Sequence, residues 1–92
     1  MGKATVFLVN GSIEELDHRP TLVEAQKIVG GWIELVKAKD TTGRMVTLVV
    51  DEEGKIKNYP SNYRINREYG ATIYGGYIVG NVIVLEGWKT VG

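Results

Sequence analysis

Apolar positions along this chain fall mostly into short alternating runs, with one clear exception. Leu22, Ala25, Ile28 and Val29 recur at i, i+3, i+6 and i+7, the single stripe of an amphipathic helix. Both ends of that helix are written in the sequence. Thr21 can cap the first turn through its hydroxyl, and Glu24, three residues on, can complete a capping box. Pro20 sits just before the cap, where its missing N–H costs nothing. Gly30-Gly31 supplies the left-handed residue on which helices stop.

Everything around this helix reads as strand and turn. Ala4 to Asn10 is rich in β-formers, and Asn10-Gly11 is a two-residue hairpin signal. Ser12 to Asp17 returns as a short second strand, although the spacing of Ile13 and Leu16 would also suit a helical turn. Asp17-His18-Arg19-Pro20 is a polar linker. Trp32 to Lys39 reads as a strand with Ile33 and Leu35 on one face. Asp40-Thr41-Thr42-Gly43 is a tight turn with glycine placed for a left-handed bulge. Met45 to Asp51 pairs back, with Val46, Leu48 and Val50 on one face. Asp51-Glu52-Glu53-Gly54 reads as a second turn of the same kind, leading to a lysine-flanked edge strand from Lys55 to Asn58. Together these predict a three-stranded meander. Tyr59-Pro60-Ser61 breaks the sheet, and Ser61 is placed to cap a short helix through Asn62 to Asn66 that ends near Gly70. Ile73 to Leu85 is a strand or pair of strands, bent at Gly75-Gly76 and Gly80-Asn81. Trp88 either folds back onto the core or sits at an interface. The expected fold is α+β: an antiparallel sheet of about five strands, one principal helix packed on a face, a short second helix, and one domain over residues 1–92.

Composition narrows the function classes. Eleven basic and eleven acidic residues balance, so long-range attraction to double-stranded nucleic acid or an anionic membrane is not expected. The absence of cysteine removes disulfides, thiolate zinc sites and cysteine nucleophiles together. Met1-Gly2-Lys3 leads straight into a strand-like run without the apolar segment of a signal peptide, and no stretch approaches a membrane span. A cytoplasmic protein is expected. A core drawn from 92 residues is modest, and with near-zero net charge that favours a homo-oligomer.

Three stretches taken together resemble a known family. They are Thr21-Leu22-x-Glu24-x-Gln26-Lys27-x-Val29-Gly30-Gly31-x-Ile33-Glu34, then Val49-Val50-Asp51-Glu52-Glu53-Gly54-Lys55-x-x-Asn58-x-Pro60-x-Asn62, and Ile73-x-Gly75 with Val79-Gly80-x-Val82-Ile83-Val84. In this order they are similar to the DUF3846 family of uncharacterised proteins from bacteria, plasmids and tailed phages, over roughly residues 4 to 86. The resemblance implies a small α+β domain in a phage or mobile-element setting, hence a host-cell cytoplasm. It implies no reaction and no cofactor. Family members often carry Leu-Pro-Leu-Asn-Arg where this chain has Tyr59-Pro60-Ser61-Asn62-Tyr63-Arg64. The arginine is displaced by one position, and no functional residue is carried over.

Candidate chemistry is thin. Glu14, Glu15, Asp17 and His18 are the nearest approach to a metal or acid–base cluster, but one histidine among carboxylates lacks the second nitrogen of a usual metal site, so solvated surface charge is the better reading. Ser12 and Ser61 have no base except His18. Gly70-x-x-x-x-Gly75-Gly76 lacks the Lys-Ser/Thr of a phosphate loop, and the acidic turn at 51–54 lacks the alternating ligands of a calcium loop. One constellation stands out, from Lys55 to Tyr77, where all five tyrosines are interleaved with Lys55, Lys57, Arg64 and Arg67. Three readings compete, in descending order of weight: tyrosines half-buried on a small sheet, a protein interface, and a site for a nucleotide-like ligand. The ligand- or partner-binding residues expected from it are Asn58, Tyr59, Asn62, Tyr63, Arg64 and Arg67, with no catalytic residue, metal or cofactor. The function that follows is a non-catalytic accessory protein binding a host protein or a small nucleotide. The alternative is a small enzyme on a nucleotide, with a carboxylate such as Glu52 as base.

Overall fold

A computed structural model describes residues 2–70, 73 and 77–92. Five strands and two helices follow in the order β1 (Lys3–Phe7), β2 (Ile13–Leu16), α1 (Leu22–Val29), β3 (Ile33–Lys39), β4 (Met45–Asp51), α2 (Tyr63–Tyr69) and β5 (Val82–Glu86). The strands form one antiparallel sheet in the order β2-β1-β5-β4-β3. The expected α+β architecture is therefore present. The last strand lies at the centre, pairing β1 from Lys3↔Glu86 to Phe7↔Val82 and β4 from Thr47↔Leu85 to Val49↔Ile83.

Because side chains alternate across a strand, both faces of the sheet carry apolar residues and each takes a helix. On one face Ala4, Val6, Val49, Ile83 and Leu85 pack under Ala25 and Val29 of α1. On the other, Phe7, Val46, Leu48, Val50, Val82 and Val84 pack under Ile65 and Tyr69 of α2, with Ile73 and Ile78 beside them. Each valine, leucine, isoleucine or phenylalanine side chain among them, removed from water, stabilises the fold by about 1.5–3 kcal/mol.

Helix α1 forms for the local reasons its sequence states. The Glu24 N–H donates to Thr21 Oγ1 at 3.1 Å, and the Thr21 N–H donates to Glu24 Oε1 at 3.0 Å. Gly30, at φ 99°, donates its N–H to the Gln26 carbonyl. Ala25 and Val29 are buried, whereas Leu22 at the start of the stripe stays 42% exposed. The 40–43 turn is also as expected: Gly43 has φ 85°, and the Asp40 carboxylate accepts from the Thr42 and Arg44 N–H groups.

Several expectations are corrected. The β1–β2 hairpin is not closed by a two-residue turn. Gly11 donates to the Leu8 carbonyl and Leu8 to the Ser12 carbonyl, with φ 92° at Gly11 and no positive φ at Asn10. This is a three-residue loop with a glycine bulge, so β1 ends at Phe7. Ile13 to Leu16 is a strand, as first read, and the competing helical turn does not form.

The strand expected over Lys55 to Asn58 does not form. After Asp51 the chain coils through successive turns, with Gly54 donating to the Asp51 carbonyl, Lys57 to that of Glu53 and Tyr59 to that of Gly54. The second edge of β4 belongs to β5, whose Val82 to Leu85 bury on both faces. A stretch with Lys55, Lys57 and Asn58 could not take that place. The cap of α2 is Asn62, not Ser61, which instead forms an isolated bridge with Val79. The strand within 73–85 begins only at Val82, after Gly80 turns the chain at φ 80°; the bend expected at Gly75-Gly76 lies outside the described residues. Trp88 folds back, half-buried, onto the α1-side core. The tail beyond it is held by Arg19, which donates to the carbonyls of Thr90 and Val91, and by the Gly92 N–H on the Pro20 carbonyl.

Candidate functional site

The 58–67 segment divides into residues that build the fold and residues that face outward. Asn62 builds. Its side chain is 1% exposed, its Nδ2 donates to the carbonyls of Phe7 and Gly80 at 2.9 Å each, and its Oδ1 accepts from the Ile65 N–H at 3.3 Å. One amide thus caps α2 and ties it to the end of β1 and the entry to β5. Asn66, one turn on, clasps Ile78: its Nδ2 donates to the Ile78 carbonyl at 2.8 Å and its Oδ1 accepts from the Ile78 N–H at 2.7 Å.

Tyr59 builds as well. Its ring lies against Gly80, where an added Cβ would stand 2.7 Å from Cδ2, and its hydroxyl lies against Gly30, 2.5 Å from the corresponding position. That hydroxyl joins a polar cluster centred on Asp51. Lys57 Nζ donates to Asp51 Oδ2 at 2.8 Å and to the Gly30 carbonyl at 3.2 Å, and the Glu53 N–H donates to Asp51 Oδ1 at 2.8 Å. The Asp51 side chain is 1% exposed and the Lys57 side chain 35%. Burial, the largest single influence on Asp51, pushes its carboxyl up. The hydrogen bonds from Lys57, Glu53 and Tyr59 outweigh it and leave the group below its ordinary value. The Lys57 ammonium is held above its ordinary value, chiefly by the same bond to Asp51.

From the sequence Asp51 reads as a turn residue, and Lys57, though part of the 55–77 constellation, as an edge-strand lysine outside the expected binding residues. The usable signal was the second glycine of Gly30-Gly31. One glycine suffices to end a helix, and a Cβ on Gly31 would stand 2.5 Å from Lys57 Nζ.

The outward residues carry cations against aromatic faces. On α2, the Arg67 guanidinium lies 5.7 Å from the Tyr63 ring centre, and Tyr63 is 72% exposed. Lys55 Nζ lies 4.1 Å from the Tyr77 ring centre, and Tyr77 is 47% exposed. Asn58 is exposed at φ 58°, and Arg64 is half-buried. Of the remaining tyrosines, Tyr69 is buried in the core, where burial above all pushes its hydroxyl up to about 12, and Tyr74 lies outside the described residues.

Beside Tyr77 a cleft of about 190 Å³ opens on the α2 side of the sheet. Glu34, Val36 and Val50 form its floor, Lys55 and Ile56 one wall, Tyr77 to Val79 the other, and the exposed Glu52 also lines it. A second hollow of about 190 Å³ lies between Val9, Val29, Tyr59 and Asn81. Both are smaller than the roughly 300–1,000 Å³ of a typical small-ligand pocket. A broader open hollow of about 330 Å³ lies on the α1 side between Met45 and Trp88.

The acidic group around His18 is a clamp on α1. Nδ1 of the imidazole stands 2.6 Å from Asp17 Oδ1, and Nε2 stands 2.7 Å from Glu24 Oε2, whose other oxygen completes the capping box. Asp17 first and Glu24 second hold the imidazole above its ordinary value. Glu14 and Glu15 stand apart on β2, the latter 3.5 Å from Lys3. No group of three or more metal-ligating side chains converges among the described residues. No helix among them is long and apolar enough to cross a membrane.

Comparison with known proteins gives a family and no reaction. No curated protein and no solved structure matches the chain. The family model described as "Domain of unknown function (DUF3846)" matches residues 5–90, from β1 through β5 to the tail that folds back under Arg19. The chain therefore belongs to the DUF3846 family.

Proposed function

We propose that this protein is a non-catalytic accessory protein of a phage or other mobile element, acting by binding a host protein through the α2 side of its sheet. The carrying observation is the display of Tyr63 and Tyr77 at the surface, each with a cation held over its ring by Arg67 or Lys55. Large aromatics normally bury, and tyrosine and arginine are the side chains that dominate the energetics of protein interfaces. Ile56, 79% exposed at the neighbouring cleft, adds apolar area to the same layer. The cations suit a partner whose matching surface is acidic. A nucleotide is the lesser occupant, because the cleft is small and open beside Tyr77.

Affinity capture from host lysate with the wild type and with the Tyr63→Ala/Arg67→Ala and Tyr77→Ala variants tests this reading. A host protein retained by the wild type and lost from the variants, with unchanged thermal unfolding, supports it. A partner captured equally by all three refutes the surface. A nucleotide-sized mass adduct in native mass spectrometry, lost in the same variants, transfers the role to a nucleotide.

A further inference from the structure

The hollow of about 330 Å³ on the α1 side of the sheet is lined by no residue of α1. Strand pairing places it. Lys37 stands opposite Thr47 and Thr47 opposite Leu85, and Leu85 belongs to the core beneath α1, so the three side chains share that face. Trp88 folds back over the same face after β5 and lines the hollow. Its indole is fixed by Gly2, which packs so closely that a Cβ there would overlap Cδ2 and Cε2. Met45, 52% exposed, adds a thioether to the lining.

The charges at this hollow are of one sign. Lys37 and Lys89 line it, and no aspartate or glutamate does. Among the described residues neither ammonium is paired with a carboxylate, although the chain as a whole is neutral. Lys37 is also held in place: its Nζ donates to Thr47 Oγ1 at 2.7 Å, and Thr47 is only 2% exposed. That bond draws the ammonium in over β4 instead of leaving it extended into water. It uses one of three donors and leaves two for an anion. We propose that this hollow binds a small aromatic anion, a flat ring carrying one carboxylate or phosphate. The ring packs against Trp88 and Met45, and the anionic group is held by Lys37 and Lys89. The volume falls within the range of small-ligand sites, unlike the two clefts of about 190 Å³. The site lies on the face opposite Tyr63 and Tyr77 and is independent of the surface proposed above.

NMR titrations of the whole chain with indole-3-acetate and phenyl phosphate, and with tryptamine as a cation on the same indole ring, test the proposal. At least one anion is expected to shift the Trp88 indole N–H and the amides of Thr47 and Gly87, with a Kd of about 1 mM, the level expected for so small a ligand. The tighter of the two identifies the anionic group. Tryptamine should bind at least about tenfold more weakly. The exposed pair Lys37→Gln/Lys89→Gln should weaken the anion at least about tenfold, leaving tryptamine binding and the thermal unfolding midpoint unchanged. Met45→Glu, at an exposed position, puts a carboxylate into the hollow and should abolish anion binding. The proposal is overturned if neither anion moves these signals at about 10 mM. It is equally overturned if tryptamine binds as tightly, if the folded double variant keeps the wild-type affinity, or if the shifts centre on the cleft beside Tyr77.

Discussion

Removing the Asn62 side chain as far as Cβ should be among the most damaging single changes available in this chain. Asn62→Ala deletes the α2 cap, worth about 1 kcal/mol. It also deletes two hydrogen bonds to the carbonyls of Phe7 and Gly80, each worth about 1 kcal/mol net. The sum is about 3 kcal/mol, rising toward about 5 kcal/mol if both carbonyls are left dry at a site only 1% exposed. Domains of this size are stable by about 5–14 kcal/mol in all, and about 3 kcal/mol corresponds to a fall in Tm of roughly 12–24 °C. Urea unfolding followed by the fluorescence of Trp32 and Trp88 measures the change, with the m-value expected to hold. Ser61→Ala is the control. Ser61 precedes the cap, is exposed and should cost less than about 0.5 kcal/mol. A loss below about 1 kcal/mol for Asn62→Ala, or equal losses for the two variants, would refute the assignment of Asn62 as the joint between α2, β1 and β5.

Two of the positive-φ glycines, Gly43 and Gly80, separate backbone strain from collision. Gly43→Ala meets nothing within 4 Å and should cost only the left-handed penalty of about 1–2 kcal/mol, whereas Gly80→Ala drives a Cβ to 2.7 Å from the Tyr59 ring and should cost clearly more by differential scanning calorimetry. The Asp51 carboxyl, lowered in the folded state, contributes stability that is complete above its ordinary value of 3.8 and is lost as pH falls through the lower folded value. Asp51→Asn should abolish that acid-limb dependence in urea midpoints measured from pH 5 to 2, and a slope unchanged in the variant would contradict it. It should also cost about 2 kcal/mol at neutral pH, below the range for a fully buried pair because Lys57 reaches water. His18 has the opposite sign: its raised value means that the clamp is complete below 6.5 and is lost as pH rises through the folded value. An NMR titration of the imidazole should move back toward 6.5 in Asp17→Asn and, to a smaller extent, in Glu24→Gln. No movement in either would dissolve the clamp.

What this sequence determined alone is what neighbours in the chain can settle between themselves. Helix α1 carries its own cap, box, stripe and stop within Thr21 to Gly30, and the Asp40 to Gly43 turn carries its own carboxylate and left-handed glycine. The strands of β3 and β4 and their register follow from that turn. Membership of the family was legible too, because its signature is a matter of residue types in order, within Thr21 to Glu34, Val49 to Asn62 and Ile73 to Val84. Tertiary structure decided the rest. Whether Lys55 to Asn58 could be a strand depended on which segment took the second edge of β4. That segment was β5, more than twenty residues further on. Ser61 and Asn62 are both competent caps locally, and Asn62 is selected because only its amide can also reach the carbonyls of Phe7 and Gly80. The tyrosines looked alike in the sequence and were sorted in space. Tyr69 went to the core, Tyr59 to the glycines that leave room for it, and Tyr63 and Tyr77 to the surface with their cations. A side chain's periodicity reports which face it shares with near neighbours. It carries no information about what a distant segment lays over that face, and here the candidate site is made of such long-range placements.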